Sequence, residues 1–244
     1  MKKIAASKTL IDDLVAGSRI LAEHGVLDAY GHVSARSDKR PQHFIMSRSR
    51  APALVTAADL VEWNADSEAA SGDKRKGFIE RYIHGEIFRA RPEVMAVVHS
   101  HSPSVIPFGV TKTKLRPIYH MGSFLWSGAP VWDIRKVREE NDLLVRDRPL
   151  GAALAGALGK CNCVLMRGHG MTVIGASVQE AVFRAIYTEM NARLQLQAAQ
   201  LEGPIEFLSD EEGKRSTAAN AGTLERPWEV WKRNALGART RSSG

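Results

Sequence analysis

The sequence of 244 residues is 44% hydrophobic and 25% charged, a balance that fits a globular chain long enough for one domain with a full core. Its net charge of +7 is spread through segments such as "TKTKLRP" and "DIRKVREENDLLVRDRP". With no basic stripe interleaved with aromatics, this dispersal speaks against a nucleic-acid partner and fits an anionic small molecule or nothing in particular. No run approaches the ~18 apolar residues of a membrane span.

Taken in chain order, "MKKIAASKTLIDDLVAG" places Asp12 and Asp13 where the apolar centre of a signal peptide would run, so a cytoplasmic chain is expected. Residues 8–25 carry Leu10, Leu14, Ile20 and Leu21 at helical spacing and stop at Gly25. "GHVSARS" and "HFIMSRS" alternate as paired strands across "DKRPQ". "TAADLVEW" reads as a short capped helix or turn feeding a strand, with Thr56 as N-cap and Asp59 at the capping-box position. After the polar loop "SEAASGDKRKG", "FIERYIHGEIFRARP" predicts a helix closed by Pro92. Val94–Val98 then has the length and β-branching of a buried strand.

Further on, "LAGALGK" ends a helix before an apolar strand at 161–166, and "GHGMTVIGAS" reads as a turn and another strand. Cys161 and Cys163 are spaced i, i+2, a poor geometry for a disulfide, and read as small core residues in a reducing compartment. Residues 178–203 predict a long amphipathic helix ending at Gly203. The composition suggests one α/β or α+β domain over 1–205. Residues 206–244, with Trp228, Trp231 and the polar "GARTRSSG", read as a tail covering an active site or a subunit interface.

The chemistry gathers where the strand "VMAVVHSHSP" ends. His99 and His101, two residues apart on a strand, point to one face and reach a common point. Glu80 lies at the start of the preceding helix, which the short "RARPE" turn folds back along that strand. His169 ends a second apolar strand between Gly168 and Gly170. One carboxylate and three imidazoles form a plausible divalent-metal set. His84, four residues after Glu80, is open to orienting Glu80, to touching substrate, or to packing on the helix face.

Glu80, "ARPEVMAVVHSHSP", "RGHG" and the early "GHVSAR" together resemble the class II aldolase/adducin family over roughly residues 8–205. The resemblance implies a three-layer α/β/α domain with a mainly antiparallel central sheet. It also implies a homotetramer with active sites between subunits, and Glu80, His99, His101 and His169 as metal ligands. Zinc is usual in the family's aldolases and manganese elsewhere, with Mg2+, Fe2+ or Co2+ as further candidates. The intact ligand set separates the chain from the non-catalytic, adducin-like scaffold branch.

Departures from the family's sugar-phosphate aldolases point to the substrate. His32 stands at their Asn position, "SRSRAP" (Ser47, Arg48, Ser49, Arg50) replaces their Thr-Gly loop, and Phe78-Ile79 replaces a Ser-Ser phosphate grip. An apolar wall with arginines nearby suits a flat ring carrying carboxylates. "GFIERYIHGEI" and "SRSRAP" resemble the branch that decarboxylates hydroxylated aromatic or pyridine dicarboxylates, in the catabolism of aromatic compounds. A retro-aldolase acting on a non-phosphorylated hydroxy-oxo acid is the alternative. At the position of the aldolases' proton-donating Tyr stands His120, with Tyr119 beside it; either, or Glu80 if displaced from the metal, is a candidate general acid.

Overall fold

The computed structural model describes residues 4–70 and 72–237; residues 1–3, Ser71 in the polar loop, and most of the terminal "GARTRSSG" lie outside them. Helix α1 (Lys8–Glu23) starts where Ser7 accepts a hydrogen bond from Leu10 N. Strands β1 (His32–Arg36), β2 (Phe44–Ser47) and β3 (Leu60–Trp63) form an antiparallel meander. The Thr56–Asp59 capping box is present as a short 3₁₀ turn before β3. Helix α2 (Arg81–Ala90) leads to β4 (Ala96–Ser100), and α3 (Ile106–Val110) follows. A 3₁₀ segment, His120–Ser127, comes before the short edge strand β5 (Val131–Trp132). The domain continues through α4 (Arg148–Leu158), β6 (Cys163–Met166), β7 (Gly170–Gly175) and α5 (Val178–Ala198).

The seven strands form one sheet in the order β3-β2-β1-β4-β7-β6-β5, antiparallel throughout except for the parallel β5–β6 pair. Side chains alternate between its faces, as the two-residue period of a strand requires. Val33, Ala96, Val98, Cys163 and Leu165 pack with Leu14 and Ile20 of α1 and Val182 and Ile186 of α5. Phe44, Val97, Val164 and Met166 pack on the other side with Ile83 and Ile87 of α2 and Leu150 and Leu154 of α4. This is the expected three-layer α/β/α arrangement. Each fully buried aliphatic side chain contributes about 1.5–3 kcal/mol by leaving water. Both cysteines are free, with Cys163 in the core. No described helix is long and apolar enough to cross a membrane.

Three boundaries differ from the sequence reading. The strand expected from Val94 begins at Ala96 and runs through Ser100, so His99 lies within the sheet. Helix α5 ends at Ala198, about one turn before Gly203, and the chain leaves it through a turn. The C-terminal segment forms two further helices, α6 (Asp210–Ala221) and α7 (Glu225–Gly237). A Ser209–Glu212 capping box starts α6, which lies on the 3₁₀ segment, where Asn220 donates to the His120 carbonyl at 2.7 Å. Trp228 and Ala235 of α7 are buried in the core cluster of α1 and α5, and Lys232 pairs with Asp13 of α1 at 2.5 Å.

Candidate active site

Strand β1 pairs with β4 so that His32 lies directly opposite His99. The alternation that turns Val97 toward α2 also turns His99 that way, beneath the start of the helix. Glu80 occupies the cap position just before α2, and its Oε1 accepts the Val145 amide at 3.0 Å. Its Oε2 lies 3.5 Å from His99 Nε2 and 3.5 Å from His169 Nε2. His169 sits in the β6–β7 turn, where Gly168 has φ 65°, a left-handed conformation that suits glycine. At Gly170, a Cβ would lie 2.0 Å from the Ser100 carbonyl oxygen, so only glycine lets β7 approach β4 this closely. His101, one residue past β4, places Nε2 3.1 Å from His169 Nε2. The ligand atoms of Glu80, His99, His101 and His169 all lie within 4.8 Å of one another.

Backbone carbonyls fix the direction of two of the imidazoles. His99 Nδ1 donates to the Met171 carbonyl at 3.1 Å, and His169 Nδ1 donates to the Leu143 carbonyl at 2.8 Å. With Nδ1 donating, the neutral ring turns an Nε2 lone pair inward, the outer-shell arrangement common for metal-binding histidines. Among the described residues, buried His99 Nε2 has no hydrogen-bond partner beyond the ion-pair contact with Glu80 at 3.5 Å, an arrangement that costs free energy for a buried polar atom. Three pairs of these ligand atoms lie 3.1–3.5 Å apart, close enough to share one small cation. The donor set and the orphaned nitrogen both fit a divalent cation.

The electrostatics agree. Burial opposes ionisation of Glu80, but the neighbouring His99 and His169 outweigh it and hold the carboxyl far below its usual range. Burial, followed by the charges of His99 and His169, lowers His101 to about 4. Burial also works against His169, yet its hydrogen bond and attraction to Glu80 raise it.

Beside the cluster opens a cavity of about 330 Å3, lined on one side by Glu80, His101 and His32 and on the other by Phe78, Ile79 and Ala51. His32 and Phe78 face each other with ring centroids 4.5 Å apart, and Ser49 also lines the space. Other sequence candidates lie elsewhere. Ser47 is buried at the end of β2, outside the lining. Arg48 is turned away to Asp59, 2.8 Å from its carboxylate, while Arg50 lines the cavity. His84 is fully buried behind His32 rather than in the cavity. Tyr119 and His120 are likewise not in the lining. The buried Tyr119 hydroxyl has no hydrogen-bond partner among the described residues, its ring faces Tyr187 at 6.5 Å, and burial raises its pKa. His120 is exposed at the start of the 3₁₀ segment. None of the described residues of 206–244 lines the cavity.

The sequence reading missed Tyr30, Lys76 and the 143–145 loop. Tyr30, Lys76 and Leu144 line the cavity, while Leu143 and Val145 contribute backbone groups to His169 and Glu80. Lys76, two residues before Phe78, carried a signal in its proximity to that wall. A backbone amide or carbonyl leaves no mark in residue type.

Comparison with known proteins places these features in context. The family model described as "Class II Aldolase and Adducin N-terminal domain" matches residues 12–196. Decarboxylase tropJ of Talaromyces stipitatus is 40% identical over 242 residues, covering 90% of this chain and 91% of its own. The 3,4-dihydroxyphthalate decarboxylase of a Terrabacter species is 35% identical over 208 residues, covering 82% and 84%. Among solved structures, the L-fuculose 1-phosphate aldolase of Glaciozyma antarctica superposes with a TM-score of 0.76 at 22% identity, covering 95% of this chain and 90% of that one. That last likeness shows the fold.

Proposed function

The chain belongs to the class II aldolase and adducin family, and on that premise we propose that it is a divalent-metal-dependent carboxy-lyase of a hydroxylated aromatic or pyridine dicarboxylic acid. One observation carries the reading: the Glu80–His99–His101–His169 cluster, with its orphaned His99 nitrogen, opens onto a cavity walled by Phe78 and Ile79. Two relatives over most of the chain's length are named decarboxylases, one of them for 3,4-dihydroxyphthalate, which supports the same chemistry.

Glu80, His99, His101 and His169 would hold one ion, Mn2+ or Zn2+ being the first candidates. Bound there, it supplies Lewis acidity to a ring hydroxyl and an adjacent carboxylate, where negative charge gathers as CO2 leaves. The chain's own groups do the rest. Phe78 and Ile79 pack on the faces of a flat ring and exclude water from it. Arg50 and Lys76 offer positive charge to a second carboxylate at the mouth, the part that the sequence reading gave to Arg48 or Arg50. Ser49 and His32 contribute polar contacts.

The departing carboxyl group must be replaced by a proton on the ring carbon. Of the candidate donors, Glu80 is engaged in the histidine cluster, His120 is exposed, and Tyr119 is packed inside its own subunit. We therefore assign this proton to His120 acting in a neighbouring subunit's cavity, within a homotetramer. The test is to incubate metal-loaded protein with hydroxylated benzene- and pyridine-dicarboxylates and score CO2 against pyruvate or aldehyde. CO2 with the monocarboxylate product is expected. Pyruvate or aldehyde without CO2 would establish the retro-aldolase instead.

A further inference from the structure

Behind the cavity runs a hydrogen-bonded line of three buried side chains that neither the metal cluster nor the substrate wall explains. Ser34 Oγ lies 2.6 Å from His84 Nδ1, and His84 Nε2 lies 2.6 Å from His32 Nδ1. Ser34 and His84 are completely buried, and His32 is 5% exposed through its place in the cavity wall. The line crosses from β1 to α2 and back, because His32 and Ser34 share the α2-facing side of β1.

Direction along the line is set by what happens at its buried end. Among the described residues, the Ser34 hydroxyl has no partner other than His84. Were Ser34 to accept from His84, its own hydrogen would be buried with no acceptor, which is the expensive way to arrange a polar group. Ser34 therefore donates to His84 Nδ1. A neutral His84 then carries its hydrogen on Nε2 and donates to His32 Nδ1, and a neutral His32 carries its hydrogen on Nε2. Among the described residues, that last N–H has no protein acceptor, and His32 lines the cavity.

We propose that Ser34 and His84 are positioning residues that lock His32 as the Nε2–H tautomer, making it a neutral hydrogen-bond donor to an anionic oxygen of the substrate beside the metal cluster. The sequence reading placed His84 against Glu80, against the substrate or on the helix face; this assigns it to orienting His32 instead. A neutral donor suits the site, because it stabilises charge on a carboxylate or phenolate oxygen without adding another cation beside the metal. The identity of that oxygen rests on the decarboxylase reading, whereas the tautomer rests on the Ser34–His84–His32 geometry alone.

The experiment is long-range 1H–15N correlation of the imidazoles in the metal-free protein, paired with inhibition of the metal-loaded protein by 2,3-dihydroxybenzoate. The wild type should show His32 and His84 as Nε2–H tautomers. Ser34→Ala should mix the tautomers of both rings and weaken the inhibitor about tenfold, at the lower end of what losing such a supporting hydrogen bond costs. His84→Gln, whose amide can still donate to His32 Nδ1, should keep the His32 tautomer. A wild-type His32 protonated on Nδ1, or a Ser34→Ala protein with tautomers and inhibition unchanged, overturns the proposal. If Ser34→Ala does not fold, the wild-type and His84→Gln spectra decide it. Absence of turnover on any hydroxyarene acid, with the tautomers as expected, would remove the decarboxylase reading and leave the positioning chain standing.

Discussion

The two faces of the one sheet are built from the same strands and are both packed with apolar side chains, but β1 and β4 place their buried imidazoles only on the face toward α2. Toward α1 and α5, β4 contributes Ala96 and Val98, and β1 contributes Val33 and Ala35, all in an apolar layer sealed by Trp228 of α7. Toward α2, the same strands contribute His99, His32 and Ser34, beside Glu80 and His84, all nearly or fully buried. Burying an imidazole or carboxylate costs free energy that burying a valine supplies. A single period-2 alternation thus separates the apolar positions of β1 and β4 from their imidazole positions, which sit within the apolar packing of α2 and α4.

The largest effect expected from this contrast is at His99. His99→Ala removes a ligand from the centre of the cluster, so metal content should fall from about one ion per chain to near zero and turnover should vanish with it. Thermal stability of the metal-free protein should fall by less than a buried leucine's truncation costs, because the lost Met171 hydrogen bond and the cavity are partly offset by removing an unsatisfied buried nitrogen. Elemental analysis and a melting curve read both. On the opposite face, Leu14→Ala should lower unfolding free energy by about 2–5 kcal/mol in a denaturant titration, with metal content unchanged. If either variant behaved like the other, the division between the faces would fail.

Acid should distinguish the faces as well. Burial, with a smaller contribution from His99, lowers His84 from 6.5 to about 3. Between those values the unfolded chain binds a proton that the folded one refuses. Stability should therefore decline as pH falls from 6.5 toward 3, and be fully retained above 6.5. Denaturant titrations of the metal-free protein across that window should show the slope, and His84→Gln should reduce it. The smallest effect is at the mouth, where Lys76→Met should raise KM about tenfold for a dicarboxylate and leave metal content and melting temperature alone.

Much of this division was legible in the sequence, and its limits have physical causes. Alternation in "AVVHS" and "GHVSAR" exposes the two-faced strands directly, and Glu80, His99, His101 and His169 stand out by residue type and position. What residue type does not carry is backbone: the Met171, Leu143 and Val145 groups that aim the ligands come from register and loop path. Arg48 looked like a substrate grip because a guanidinium near an apolar wall suits carboxylates. Asp59, eleven residues on, takes it instead. The C-terminal helices escaped notice because α6 packs through Gly213 and hydroxyls rather than through a stripe of large apolar residues.

The most direct test measures metal stoichiometry and CO2 release on the same preparations, wild type and His99→Ala, with 3,4-dihydroxyphthalate as probe. We expect about one divalent ion per wild-type chain, CO2 release abolished by chelation and restored by Mn2+ or Zn2+, and neither metal nor CO2 in the variant. CO2 release that survives both chelation and His99→Ala would contradict the assignment of this cluster as the catalytic metal site.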